Sequence, residues 1–142
     1  SAAESLGVRL ELIEIRKVQD LEAAFRTAKR KKVGAVMLQG SPIFFVSRAR
    51  VAALALGGRL PTVSAYDYAT AAGALMSYGT DTSGNWKRTA YYVDRLLKGA
   101  KPGDLPVEQL PKLKLAVNLK TAKALGINIP ETILLRADEV IR

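Results

Sequence analysis

Three short apolar runs, "GAVML" (34–38), "LPTVSAY" (60–66) and "ALMSYG" (74–79), are separated by helix-forming segments that each stop at glycine. This alternation constrains the fold more than any other feature. Runs of this kind read as strands buried on both faces, and parallel strands need helical crossovers to connect them. Strand and helix at this spacing build βαβ units. The fold class expected is therefore α/β, with a Rossmann-like, mostly parallel sheet and helices on both faces.

The flanking segments extend the same pattern. "VRLELIEI" (8–15) alternates apolar and charged residues, the period of a half-exposed strand. Asp20 opens or caps a helix in which Leu21, Ala24, Phe25 and Ala28 share one face. In "QGSP", Ser41 suits the N-cap and Pro42 the first turn of a helix running over 43–56 to the stop at Gly57-Gly58. A short helix over 68–72 ends at Gly73. After Asp81 comes a helix with Trp86, Ala90, Val93 and Leu97 on one stripe, ended by Gly99. "KPGDLP" cannot continue it. "KLKLAVN" (112–118) reads as a strand and "LKTAKALG" as a short helix stopped at Gly126, with one more helical turn expected from Pro130. The opening "SAAESLG" reads as the last turns of a helix closing at Gly7, which suggests a piece of a longer chain.

Composition removes several function classes. Without Cys or His there is no disulfide, thiolate or imidazole metal ligand, and no Ser-His triad. The net charge of +9 suits nucleic acid or an anionic surface. The cations are scattered, however, apart from "RTAKRKK" (26–32), which reads first as a solvated helix C-terminus favoured by the dipole. No nucleic-acid partner is expected.

In open parallel sheets, ligands bind outside the carboxyl ends of the strands. Those ends carry Ser41 and Phe44, Tyr66 and Asp67, and Tyr78 and Asp81. Asp67 and Asp81 fit an acid/base pair but suit helix capping better, so no enzyme activity is expected. "GTDTSGN" is neither GxGxxG nor a P-loop, and no EF-hand spacing occurs, so neither cofactor nor metal is expected. Tyr91 and Tyr92 sit about 100° apart on a helix and cannot make one stacking platform. Of Phe44 and Phe45, the first can line a cleft and the second reads as core.

"GALMSYGTD", "AYYVDRLLKGAKPGDLPVEQ" and "KLKLAVNLKTAKALGINIP" resemble the C-terminal part of ABC-transporter substrate-binding proteins of the tryptophan-binding-protein-like family. "DLEAAF", "RLPTVSAYDYATAAG" and "LLRADEVI" fall in the matching order, so the likeness spans the chain. The resemblance implies a type 1 periplasmic-binding-protein fold with a cleft between two lobes. Residues 1–80 would form an incomplete C-terminal lobe lacking its first strand. Residues 81–142 would cross over and return toward the other lobe, with "LPVEQ" in that lobe's sheet or edge. It also implies a periplasmic receptor, exported by a signal outside this sequence, that binds an amino-acid-like solute and meets the transmembrane subunits of an ABC permease. Asp81 would meet the ligand's amino group, and Ser41 with a helix N-terminus its carboxylate. Surface left by an absent lobe would favour a homodimer. The effector domain of a transcriptional regulator shares the fold and stands as the alternative.

Overall fold

A computed structural model describes residues 2–108 and 113–142. A first short helix, α1 (Ala2–Ser5), closes as expected, with Gly7 at φ 65° and the Val8 amide donating to the Ala3 carbonyl. The next helix, α2 (Leu21–Arg30), buries the four residues its pattern assigned to one face. The Asp20 carboxylate does not cap α2. It accepts from the amides of Arg16 and Lys17 and so shapes the 3-10 turn Val18–Asp20 that leads in.

Five strands form one sheet in chain order: β1 (Val36–Leu38), β2 (Thr62–Ser64), β3 (Met76–Thr80), β4 (Leu113–Asn118) and β5 (Glu139–Ile141). β1, β2 and β3 run parallel, β4 is antiparallel to β3, and β5 is parallel to β4. The sheet is mostly parallel, as the alternation required. The first three strands end together, and the antiparallel turn brings the start of β4 to that same edge, with Thr80 opposite Leu113.

Between β1 and β2 the single helix expected over 43–56 is two: α3 (Pro42–Val46) and α4 (Arg48–Gly57). Ser47 leaves helical geometry at ψ 16°, and the Arg48 guanidinium donates to the carbonyl of Phe45, satisfying a group at the break. α5 (Asp67–Ala71) joins β2 to β3, and α7 (Leu119–Leu125) and α8 (Glu131–Leu134) join β4 to β5. α2 packs on α4 and α4 on α5. Leu21, Phe25, Leu38, Val51 and Leu60 are the larger members of the core so formed.

Two expectations need correction. Residues 8–15 join no ladder in the described structure. Their alternation changes phase at Leu12-Ile13, so Ile13 and Ile15 face the core while Leu10 and Leu12 are exposed. A strand needs a neighbour as well as a period, and here the side chains pack without backbone pairing. The segment beyond residue 81 also divides differently. β4 and β5 complete the sheet that the first 80 residues begin, because their backbone groups pair with β3 and with each other. Only the excursion through α6 (Thr82–Leu97) and the following segment to Glu108 leaves the sheet. Lys112, expected to open the strand, lies outside the described residues.

α6 carries the expected stripe on its open side, with Trp86 and Leu97 72% and 83% exposed. The chain after it, including a 3-10 turn at Pro102–Asp104, returns along α6 as a strap. Leu105–Glu108 is thus not a strand, and Gln109 falls outside the described residues. The Arg88 guanidinium forks onto Glu108, with Nε 2.6 Å from one oxygen, and stacks over the Tyr91 and Tyr92 rings. The Tyr92 hydroxyl donates to the Pro106 carbonyl at 2.7 Å. Hydrogen bonding from Arg88 holds the Glu108 carboxyl below its usual range, with desolvation opposing. A depressed carboxylate contributes stability above its unfolded pKa of about 4.3 and loses it as pH falls through the folded value. Backbone amides of the strap should therefore exchange faster, relative to their intrinsic rates, once pH drops below about 4. Glu108→Gln should show the same release at neutral pH; unchanged protection in that variant would refute the clamp.

Candidate functional site

The carboxyl edge of the sheet gathers groups from four segments. After β1, Ser41 N-caps α3 with its Oγ accepting from the Ile43 amide at 3.2 Å, so its own proton stays available to donate. After β2, the Tyr66 ring arches over the turn before Ser41. A Cβ on Gly40 would stand 2.6 Å from the Tyr66 hydroxyl, so only glycine admits this approach. Tyr66 stacks on Tyr68 at 5.4 Å, and Tyr68 meets Phe45 edge-on at 5.0 Å. Burial, with a smaller effect from Tyr66, raises the pKa of the Tyr68 phenol. The edge thus presents a short aromatic shelf whose two ends, Tyr66 and Phe45, both reach solvent.

Phe45, expected in the core, is not buried there. Phe44 packs against the core and lines a cavity of about 10 Å³ beneath Tyr68, while Phe45 is half exposed with Arg48 over its ring. Continued helical periodicity places Phe44 on the face of Val51 and Ala55, seven and eleven residues on, and that face is the buried one. Tyr78 stands exposed on β3, on the face opposite buried Ser77. Asp81 lies at the start of α6, and its Oδ1 accepts from the Gly84 amide at 3.1 Å.

The residue that sequence reasoning missed is Lys114. It enters from β4, opposite Gly79, and is largely buried. Its Nζ lies 2.7 Å from the Glu139 carboxylate and 3.6 Å from that of Asp67. The bond to Glu139 raises its pKa most, desolvation opposes, and the charges of Asp67 and Asp81 add to the rise. Lys114 therefore ties the β2–α5 turn to β4 and β5 and holds Asp67 in place. The local signal was present only as the polar phase of "KLKLAVN"; the antiparallel return of β4 decides what that phase faces. The edge thus brings Ser41, Tyr66, Asp67 and Asp81 to the ends of adjacent segments, leaves Tyr78 apart on one face, and turns Phe44 inward. Among the described residues no cluster of acidic side chains has the geometry of a metal site, and no helix is long and apolar enough to cross a membrane.

A solvent-facing edge with hydroxyls, a phenol and carboxylates can donate and accept hydrogen bonds to a small polar ligand. Comparison with known proteins agrees with this. The family model of ABC transporter substrate binding proteins matches residues 1–141. The chain belongs to this family.

Solved structures align over nearly all of this ABC transporter substrate-binding chain. A conserved domain protein from Vibrio cholerae matches at 27% identity and a TM-score of 0.84, over 98% of this chain and 47% of its own. The ABC domain in complex with L-Trp from Streptococcus pneumonia matches at 27% identity and 0.85, with the same coverage. A ligand-free, open substrate binding protein with adhesive properties from Clostridium difficile, at 19% identity and 0.69 over 99% of this chain and 46% of its own, shares the fold. The chain spans about half the length of these structures. No curated protein matches it.

Proposed function

We propose that this chain supplies one wall of a solute-binding cleft in the receptor of an ABC importer. The receptor acts outside the cytoplasmic membrane and presents an amino-acid-like solute to the permease. The observation that carries the reading is the convergence of Ser41, Tyr66, Asp67 and Asp81 on the carboxyl edge of a parallel sheet, in a chain of this family. The L-Trp held by the Streptococcus relative supports an amino-acid ligand.

In this reading Asp81 receives the ligand's ammonium group, Ser41 donates to its carboxylate, and Tyr66 offers a face to its side chain. Lys114 keeps Asp67 oriented, and its charge is felt by Asp81 as well. The exposed stripe of α6 packs against a second lobe, and Thr80-Asp81 with the start of β4 forms the joint about which the lobes close.

The test is calorimetry on the full-length protein with L-tryptophan and the other L-amino acids. Asp81→Asn retains a good N-cap but loses the charge, so it should weaken binding about 10- to 100-fold with little change in melting temperature. If no amino acid binds the parent protein, the ligand class is wrong. If binding survives Asp81→Asn intact, Asp81 is a cap and nothing more.

A further inference from the structure

The structure carries a second surface that the cleft does not use. On the solvent face of α2, Arg26, Lys29 and Arg30 surround the small residues Ala23 and Thr27, forming an open shallow depression walled by long cations. Lys32 follows at a left-handed φ of 54°, where glycine would relax the backbone, so the turn adds a charge at a conformational cost. The nearby carboxylates are engaged elsewhere: Glu11 by Lys31 at 2.5 Å, and Glu22 by Arg50 at 2.8 Å. Hydrogen bonding by those cations holds both glutamates below the usual carboxylate range, so they stay ionised and paired. Arg26, Lys29, Arg30 and Lys32 have no carboxylate within ion-pair distance among the described residues, Glu22 acting on Arg26 only as a more distant charge, on a chain whose net charge is +9.

We propose that this face of α2 docks on a bilayer surface bearing anionic phospholipid. A helix C-terminus already favours cations through its dipole, but a dipole acts within the last turn. Arg26 lies a full turn earlier, and the shallow depression widens the charged area beyond the helix end. Phosphate headgroups complement such an array, each adjacent cation strengthening binding about fivefold. A single-stranded nucleic acid is less well matched, because its sites interleave cations with stacking aromatics. The exposed aromatics among the described residues, Phe45, Tyr66, Tyr78, Trp86 and Tyr91, belong to α3, the sheet edge and α6, and none lies on α2. A protein that serves a membrane transporter gains from residing at the bilayer, where encounter is confined to a surface.

The experiment is co-sedimentation of the full chain with vesicles of phosphatidylcholine alone, or of phosphatidylcholine with phosphatidylglycerol, at low and high salt. Binding is expected only to the anionic vesicles and should be lost at high salt. Arg26→Gln/Lys29→Gln/Arg30→Gln should weaken it about 100-fold. Lys101→Gln/Lys120→Gln/Lys123→Gln removes the same charge from exposed positions elsewhere and should weaken it much less. Replacing Arg26 and Arg30 by lysine should preserve it. Equal loss in the two triple variants would mean that net charge alone is at work and would overturn the proposal. So would binding to phosphatidylcholine alone, or tighter binding to single-stranded DNA than to the anionic vesicles. All substituted positions are exposed, and unchanged melting temperatures would confirm that the variants fold.

Discussion

Gly79→Ala should destabilise the fold by about 3 kcal/mol, the upper end for inserting a methyl group into a packed site. Gly79 sits inside β3, where the end of β2 passes closely. A Cβ there would lie 1.9 Å from the Ala65 carbonyl oxygen and 2.7 Å from its carbon. Both are backbone atoms, so no rotamer change relieves the clash. The two strands must separate at their carboxyl ends, and the next residues to move are Tyr66 and Asp67. Urea unfolding provides the measurement, with Gly34→Ala as control, since a Cβ at Gly34 meets nothing within 4 Å. A loss below about 1 kcal/mol for Gly79→Ala would mean that β2 and β3 are not packed as described. Ligand binding should suffer as well, because the displaced loop carries half of the proposed cleft wall.

How much of this was legible in the sequence depended on whether the signal was local. Caps and stops were legible: Ser41 before Pro42, and the closures at Gly7, Gly99 and Gly126, rest on residues within one turn of each other. The buried face of α2 was legible for the same reason. Three parallel strands followed from their continuous apolar runs. β5 did not, because Glu139–Ile141 is too short to show a period and exists only through its pairing with β4. The break at Ser47 was hidden in a run whose composition is helical throughout. For residues 8–15 the pattern was that of a strand, but ladder formation is a property of two segments.

The candidate site divides in the same way. Residues just after parallel strands could be named without coordinates, because topology sends them all to one edge. Lys114 could not, since it reaches that edge only through the antiparallel return of a strand about 50 residues downstream of Ser64. Its register opposite Gly79 explains why the position tolerates a largely buried cation: Glu139 and Asp67 converge on it from two further segments. An unpaired lysine there would be costly, whereas with both partners in place it holds the edge together.

Asn118→Leu should cost about 2–3 kcal/mol, although the residue lies far from the candidate site. Asn118 ends β4 and is 5% exposed. Its Oδ1 accepts from the Thr121 amide as the N-cap of α7, and its Nδ2 donates to the Thr70 carbonyl at the end of α5. One turn on, the Thr121 hydroxyl donates to the Gly73 carbonyl at 2.9 Å. The first turn of α7 thus satisfies carbonyls that α5 leaves open at its C-terminus, and a single amide side chain serves both helices. Leucine fills similar space but removes both bonds from a buried position. Asn118→Ser keeps a competent cap without the reach to Thr70 and should recover about 1 kcal/mol relative to leucine. Equal losses for serine and leucine would show that the Thr70 bond, not the cap, carries the effect; a loss under about 1 kcal/mol for leucine would refute the double role. The register places Asn118 beside the start of β3, at the opposite end of the sheet from Lys114. "NLKTAKALG", among the stretches most specific to the family resemblance, is therefore a packing motif, and Asn118→Leu should lower stability while leaving the affinity of the folded protein for its ligand unchanged.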